Sequence, residues 1–487
     1  MSATNRRAVV ALGLVVVVLV AALVWWTARD DDTAAPATTT TTSSTTTTIA
    51  GTPGAAGIGD PYFPTLGNGG YDVAHYDLQI AWLADGGSLD GVTTIDATAT
   101  QDLSRFDLDL SGLEVASVVV DDRPATFTRH ERELQITPAR TLAKGSRFTT
   151  KVTYSGAPKP IHEGTDLFQT GWQTDGREAY VASEPSGAET WFPSNDHPAD
   201  KASYTIHVTA PADQVVVANG VLTSRDDIGH GTLAWSYDET DPMASYLVQV
   251  AIGDYELVDD GTVGTVHIRH AFHRSLADDA RAAASKTKEH LALLTSLFGP
   301  FPWPEYGIVA VPEDLGFALE TQTLTLIGSD IAAQREDAAT TLLHEMAHQW
   351  FGDAVSPATW KDVWLNEGFA TYAEWLAQER SGGPSARDYA RRILDKTTAD
   401  LVTPPGDPGP KELFAPTVYY RGGMTLQALR EAVGDDAFFT ILHRWYAEHR
   451  GTTGSTPQLI ALAEQVSGKQ LDALFQTWLY DRAKPSF

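Results

Sequence analysis

The chain has 487 residues, of which 43% are hydrophobic and 20% are charged, so it can form about three globular units with a sizeable core. Lys and Arg number 35 against 63 Asp and Glu, and the net charge of −28 argues against nucleic acid and against charge-driven binding to anionic lipid. The absence of cysteine excludes disulfides, thiolate metal sites and a cysteine nucleophile.

The N-terminus predicts a membrane anchor. Arg6 and Arg7 precede an uncharged apolar run over residues 8–26, which as a helix would span about 28 Å, close to the roughly 30 Å core of a bilayer. Positive charge before the run predicts that residues 1–7 are a short cytoplasmic segment and that the rest of the chain lies outside. A cleaved signal peptide is the alternative, although the run exceeds the roughly 7–15 apolar residues usual in such peptides.

A low-complexity segment follows the apolar run. Residues 27–60 are rich in Thr and Ser, and residues 38–48 contain nothing else. Such a composition cannot bury a core. It predicts a disordered linker that holds the folded part away from the membrane.

The remainder of the chain divides into two regions. Over residues 61–257 apolar and polar side chains alternate, for example at 76–80, 106–110 and 202–208, with Gly, Pro and Asp clusters between the runs. This pattern predicts an N-terminal antiparallel β domain. Helical patterns dominate residues 258–487. The sequence therefore predicts an α+β protein with a domain boundary near residue 258.

One predicted helix of the second region, residues 336–351, carries two histidines. His344 and His348 are four residues apart, so both imidazoles project from one face, about one turn apart. Two nitrogens in this arrangement can bind one zinc ion. Glu345 lies beside the pair, where it can reach a metal-bound water as a general base.

A zinc site needs a third ligand, and the next predicted helix offers one in Glu367. Glu374 lies seven residues further on the same face and can accept a hydrogen bond that orients a ligating imidazole. Three protein ligands leave one coordination position for water, which is typical of a catalytic zinc site rather than a structural one.

The stretch HEMAHQWFGDAVSPATWKDVWLNEGFATYAEW, His344–Trp375, closely resembles the zinc block of the aminopeptidase-N-like gluzincins. These are zinc metallopeptidases, and the group also includes the leukotriene epoxide hydrolase. The resemblance covers about residues 66–487, since Tyr71–Ile80 and Trp191–Pro211 are similar to signatures of the family's β domain. It implies that residues 258–487 form a mainly helical, thermolysin-like catalytic domain.

The resemblance assigns roles to the residues of the zinc block. It implies that His344, His348 and Glu367 bind a single zinc ion and that Glu345 is the general base. Such an enzyme hydrolyses peptides with a zinc-activated water.

A second motif concerns the substrate's amino group. GFALETQT, Gly316–Thr323, occupies the place of the family's exopeptidase motif, G-A-M-E-N in its usual form, and Glu320 matches the glutamate that holds the free α-amino group. Phe317, Leu319 and Thr321 depart from the common letters. The alternation over residues 319–327 also predicts a strand that pairs with the peptide backbone.

A third motif supplies a tyrosine. VYYRGG, Val418–Gly423, is similar to the family's V-Y-x-K-G and makes Tyr419, rather than Tyr420, the donor to the transition state. Glu184 aligns with a second amine-binding residue of the family, and a surface-loop carboxylate is the alternative for this position.

These assignments predict a zinc aminopeptidase that removes N-terminal residues from peptides with a free N-terminus. We expect no nucleic-acid partner and contact with the membrane only through the N-terminal helix. The expected location is the cell membrane, single-pass, with the catalytic part outside, or the medium after signal cleavage. Endopeptidase-like activity, lipid epoxide hydrolysis and an inactive binding scaffold on the same fold are alternatives. Many family members carry a C-terminal helical domain, whereas this chain stops at Phe487, so a more open cleft is expected.

Overall fold

The computed structural model describes residues 50–162, 169–396 and 403–487, and Ile49–Phe487 form one compact unit. The predicted cytoplasmic segment, the predicted anchor at residues 8–26 and most of the predicted linker lie outside the described residues. Among the residues that are described, no helix is both long enough and apolar enough to cross a membrane.

The first part of the unit is built from strands. In chain order they are β1 Thr52–Pro53, β2 Tyr71–Leu83, β3 Ser88–Ala99, β4 Leu103–Asp109, β5 Glu114–Val120, β6 Arg123–Pro124, β7 Thr126–His130, β8 Glu133–Thr137, β9 Arg147–Gly156, β10 Gly171–Thr174, β11 Ala179–Ala182, β12 Lys201–Pro211, β13 Val215–Ala218, β14 Val221–Gly229, β15 Thr232–Ala244 and β16 Val250–Gly253. They form an eight-stranded sheet of order β14-β15-β12-β2-β3-β9-β5-β6 and two four-stranded sheets, β1-β4-β8-β7 and β10-β11-β16-β13.

The alternation that predicted these strands corresponds to burial on one face. Along β2, Tyr76, Leu78 and Ile80 point into the core, whereas Asp77 and Gln79 point away from it. The expected β domain is thus confirmed, but it is not purely antiparallel. Its central strands β2 and β12 run parallel, as strands far apart in the chain can, because a long connection permits either direction.

The folded unit begins earlier than the composition indicated. Thr52 donates its backbone N–H to the Asp102 oxygen at 2.8 Å, and Gly54 donates to the Arg105 oxygen at 2.8 Å, so that β1 pairs with β4. Residues 50–60, which composition assigned to the linker, therefore belong to the β domain. Backbone pairing orders this segment although its own side chains bury little surface.

The second part of the unit combines a small sheet with helices. Its strands are β17 Tyr255–Val263, β18 Val266–His273, β19 Glu305–Ala310, β20 Ala318–Leu319, β21 Leu324–Ile327, β22 Val355–Pro357 and β23 Thr452–Gly454, and its helices are α1 Ala277–Ala283, α2 Thr287–Phe298, α3 Ser329–Ala332, α4 Ala339–His348, α5 Trp364–Arg380, α6 Ala386–Lys396, α7 Pro416–Val433, α8 Asp435–His449, α9 Thr456–Ser467 and α10 Asp472–Phe475. The sheet has the order β17-β18-β19-β21-β20, which places β20 at an edge.

Two boundaries differ from the sequence-based expectation. The predicted domain boundary at residue 258 falls inside β17, whose pairing with β18 makes it the first strand of the second part. The predicted continuous strand over residues 319–327 is interrupted, because the chain turns back between β20 and β21 and the two strands pair antiparallel. Thr323 stands in this turn with a φ of 64°.

The larger of two apolar core clusters extends through both parts. Tyr246 of the β domain packs edge-on against Trp360 of the helical part, with ring centroids 5.2 Å apart. The Lys201 ammonium donates to the Asp353 backbone oxygen at 2.5 Å, just beyond the end of α4. The β domain is therefore fixed against the region that contains the two histidines.

Candidate metal centre and active site

Helix α4 presents its two histidines to one point. The apolar side chains of Leu342, Leu343 and Met346 are buried and hold one face of the helix in the core. His344 and His348 project one turn apart, with ring centroids 4.8 Å apart.

Glu367, in the first turn of α5, completes a three-residue cluster. Its Oε2 lies 3.2 Å from His344 Nε2 and 3.5 Å from His348 Nε2. Tetrahedral ligands about 2.0–2.1 Å from a zinc ion stand roughly 3.3 Å from one another, so these separations fit a single ion. The three residues are the group of His, Asp and Glu side chains among the described residues whose donor atoms converge closely enough to hold a metal.

The other ring nitrogens are already engaged. His344 Nδ1 donates to Glu374 Oε1 at 2.7 Å, and His348 Nδ1 donates to the Phe351 backbone oxygen at 3.1 Å. A proton held on Nδ1 in this way leaves each Nε2 as the nitrogen that would bind a metal. Glu374 thus lies where an orienting carboxylate was expected.

Two glycines bring α5 and α7 into backbone contact. A Cβ on Gly368 would lie 2.9 Å from the Gly422 Cα, and a Cβ on Gly422 would lie 2.8 Å from the Gly368 Cα. Gly368 directly follows Glu367, and Gly422 is one turn beyond Tyr419. The close crossing therefore brings the third candidate ligand and the candidate donor tyrosine to the same site.

Tyr419 and Glu345 both lie beside this cluster. The Tyr419 ring stands over the His344 ring, with centroids 6.0 Å apart and planes 24° from parallel. Burial, followed by the Glu367 carboxylate, raises the pKa of Tyr419 well above its ordinary range, so that the hydroxyl keeps its proton. Burial raises the pKa of Glu345 to about 7, whereas the two imidazoles overcome the effect of burial and lower the pKa of Glu367 to about 2.

Two further carboxylates face the cluster. Glu320 follows β20 and Glu184 follows β11, and both are almost fully buried. The Oε1 atoms of both residues have no hydrogen-bond partner within the described part of the chain. Burial, followed by the charge of Glu320, raises the pKa of Glu184 well above its ordinary value. Glu184 is thus a buried group rather than a surface-loop carboxylate.

Sequence reasoning missed three residues that shape this site. Gly368 and Gly422 lie inside helices, where glycine is normally unfavourable, and their presence there indicated close packing. Gln349 follows the second histidine, and its hydrogen bonds to the Glu320 and Thr323 backbones depend on a fold that periodicity cannot show.

Comparisons with known proteins agree with this architecture. A family model described as the Peptidase M1 N-terminal domain matches residues 73–247, and one described as the Peptidase family M1 domain matches residues 282–478. Together they cover well over half of the chain.

Individual proteins resemble the chain over different lengths. Aminopeptidase M1 of Arabidopsis thaliana is 28% identical over 63% of this chain and 37% of its own length, and endoplasmic reticulum aminopeptidase 1 of Homo sapiens is 27% identical over 77% and 43%. The chain thus spans less than half the length of these two relatives.

A solved structure matches almost end to end. The M1 zinc metallopeptidase from Deinococcus radiodurans is 32% identical, with a TM-score of 0.82 over 88% of this chain and 98% of that one. A variant of that protein was solved with a Tyr-Ser-Ala substrate and gives a TM-score of 0.81. The resemblance read from the sequence is confirmed, and the chain belongs to peptidase family M1.

Proposed function

We propose that this protein is a zinc-dependent aminopeptidase that removes single residues from the N-terminus of peptides. The observation that carries the proposal is the pair of buried carboxylates, Glu184 and Glu320, which lie beside the three candidate metal ligands and whose Oε1 atoms have no hydrogen-bond partner among the described residues. Carboxylates buried in this way call for a cationic partner. A peptide's terminal ammonium supplies that charge.

The chain's own residues provide the remaining chemistry. A zinc ion on His344, His348 and Glu367 would polarise the scissile carbonyl and lower the pKa of a water to about 7. Glu345, which is buried beside both histidines, takes the proton from the attacking water and returns it to the leaving amine. Tyr419 donates its hydroxyl proton to the developing oxyanion.

The amine-binding pair sets the reading frame. With the substrate's ammonium held by Glu320 and Glu184, the first peptide bond is the one that reaches the three candidate metal ligands. The edge strand β20 leaves backbone groups available for an extended peptide. The Deinococcus protein, whose variant was solved with a Tyr-Ser-Ala substrate, supports a peptide as the ligand of this site.

The test compares Tyr-Ser-Ala with its N-acetylated form. Glu320→Ala should lose about 30-fold or more in kcat/KM on the free tripeptide, since an unpaired buried charge costs that much, and should change little on the acetylated form. Asp314→Ala, which removes an exposed carboxylate six residues earlier, is the matched control. Equal cleavage of both forms by the parent protein would indicate endopeptidase-like activity, and a zinc-loaded protein without turnover would be a binding scaffold.

We also propose that residues 8–26 anchor the protein in the cell membrane with the catalytic part outside. The charge pattern and length of the run in the sequence support this location. The full-length protein should sediment with membranes and keep its encoded N-terminus, apart from loss of Met1. A form beginning beyond Trp26 and recovered from the medium would show a signal peptide instead.

A further inference from the structure

Gln349 lies directly after the second candidate ligand and contacts the turn that carries Glu320. Its Nε2 donates to the Glu320 backbone oxygen at 2.8 Å, and its Oε1 accepts from the Thr323 backbone N–H at 2.9 Å. The same oxygen accepts from Trp303 Nε1 at 2.9 Å. This fully buried side chain therefore ties both ends of the turn 320–323 to the end of α4.

The turn would not hold its shape unaided. Thr323 has a φ of 64°, a conformation that β-branched residues rarely adopt and that persists only where surrounding contacts impose it. Gly220 N–H donates to Thr323 Oγ1 at 2.9 Å, and Asn219 Nδ2 donates to the Gln322 oxygen at 2.5 Å. The β domain thus holds the turn on one side, and Gln349 holds it on the other.

We propose that Gln349 is a positioning residue that sets the distance between the Glu320 carboxylate and the metal ligands of α4. This distance determines which peptide bond reaches the metal ligands once the substrate's ammonium is bound. The inference rests on the proposed aminopeptidase function and names the side chain that enforces its one-residue reading frame.

An amide is the group that this position requires. The turn presents one carbonyl and one N–H to the side chain, so the side chain must both donate and accept. A glutamate here would accept from Thr323 and Trp303 but could not donate to the Glu320 oxygen. A methionine of similar shape would do neither and would leave those buried backbone groups unpaired.

The experiment uses the zinc-loaded protein with Tyr-Ser-Ala and its N-acetylated form. Gln349→Met should lose about tenfold or more in kcat/KM on the free tripeptide, mainly through a raised KM, and should change little on the acetylated form. Zinc content should stay at one ion per chain. Trp303→Phe removes the third bond to Gln349 without touching the turn and should keep the parent's preference for the free amine.

A double mutant separates positioning from a merely structural role. If Gln349 acts through Glu320, adding Gln349→Met to Glu320→Ala should change kcat/KM by less than about twofold. Loss of zinc, or a full tenfold effect in the Glu320→Ala background, would overturn the inference. If Gln349→Met does not fold, Gln349→Glu decides in the same way, since it keeps the accepting oxygen, whereas its second oxygen repels the Glu320 backbone oxygen instead of donating to it.

The outcomes also separate this inference from the proposed function. A parent protein that cleaves both tripeptides equally would overturn both. A parent that prefers the free amine, with a Gln349→Met variant that keeps the whole preference, would overturn the positioning role alone.

Discussion

Tyr419 and Tyr420 are neighbours on α7, yet their surroundings are opposite. Tyr419 lies against the His344 ring, whereas Tyr420 is 43% exposed. A transition-state donor must be fixed beside the reacting carbonyl, and a side chain in solvent is not. The structure thus offers a distinction between two chemically identical residues that can be tested directly.

Tyr419→Phe should lower kcat about 10²–10³-fold with little change in KM, because the lost hydrogen bond forms only in the transition state. Tyr420→Phe removes the same atom from an exposed position and is the matched control. Steady-state kinetics on Tyr-Ser-Ala compare the two. A larger loss from Tyr420→Phe would show that Tyr419 is not the donor.

At this scale the sequence was informative wherever the site lies within one or two helices. Helical spacing alone predicts that His344 and His348 share a face, and it predicts Glu374 on the same face as Glu367. The approach of Glu184 to Glu320 could not be read in the same way. It depends on how the β domain packs against β20, and only the family resemblance pointed to Glu184.

The crossing of α5 and α7 shows how two elements share one site. Gly368 and Gly422 allow the helix backbones to touch, and the residues that flank this contact are Glu367 and, one turn away, Tyr419. Any side chain at the crossing must push the helices apart, because the facing atoms are backbone and cannot rotate away.

Gly422→Ala should therefore displace both Glu367 and Tyr419, although alanine is the better helix former. Its Cβ would lie 2.8 Å from the Gly368 Cα, a contact that forces the helices to shift. We expect a loss of kcat of about tenfold or more, since small misplacements of catalytic groups are costly, together with weaker zinc binding. Gly368→Ala should act similarly. Full activity with unchanged zinc affinity in both variants would contradict this account of the crossing.

Strands β4 and β8 bring two acidic residues face to face. Asp109 pairs with Glu133 in the register of the two strands, and both side chains are buried. Burial, followed by the charge of Asp107, raises the pKa of Glu133 to about 7. Between about pH 4.5 and pH 7 the Glu133 carboxyl is therefore protonated in the folded protein, whereas in the unfolded chain, where its pKa is near 4.5, it has lost the proton.

This difference predicts how stability depends on pH. The contribution of protonated Glu133 is complete below about pH 4.5 and is lost as the pH rises through 7. Glu133→Gln stays neutral, so its free energy of unfolding relative to the parent should be higher at pH 8 than at pH 5. Urea unfolding at both values measures the change. Glu114→Gln, on an exposed strand position, is the control: its free energy of unfolding should differ from that of the parent by the same amount at both pH values. The same result for Glu133→Gln would contradict the prediction.

Strands and helices could be predicted where the side-chain periodicity was long. Prediction failed where pairing with distant segments determines the local structure. The alternation along β2 and the helical pattern of α5 follow from local side-chain sequence. Residues 50–60 carry no such pattern, and their order comes from pairing with β4 and from hydrogen bonds to distant residues. The turn between β20 and β21 is likewise imposed by Gln349 and by the β domain.

On the scale of the whole molecule, the segment that follows the Thr- and Ser-rich stretch fastens the two parts together. Asp60 is buried, and its Oδ1 accepts from the Tyr62 and Phe63 backbone N–H groups at 2.7 and 2.9 Å. Its Oδ2 accepts from Trp360 N–H at 2.8 Å and from His197 Nε2 at 3.1 Å. A single carboxylate therefore joins the N-terminal segment, the β domain and the helical part.

A fragment that starts at Ala50 should accordingly be more stable than one that starts at Pro61, the boundary that composition alone suggests. The shorter fragment loses both β1 and Asp60, and it leaves buried donors of His197 and Trp360 unpaired at a cost of about 1–3 kcal/mol each. Asp60→Ala in the longer fragment separates the effect of the carboxylate from that of the strand. It should lower the free energy of unfolding in urea by a large part of the same amount, and with it the midpoint, whereas Asp85→Ala on the surface should not. Identical urea midpoints for the two fragments would mean that residues 50–60 contact the folded unit without stabilising it. A fall confined to the shorter fragment would assign the stability to the pairing of β1 with β4 rather than to Asp60.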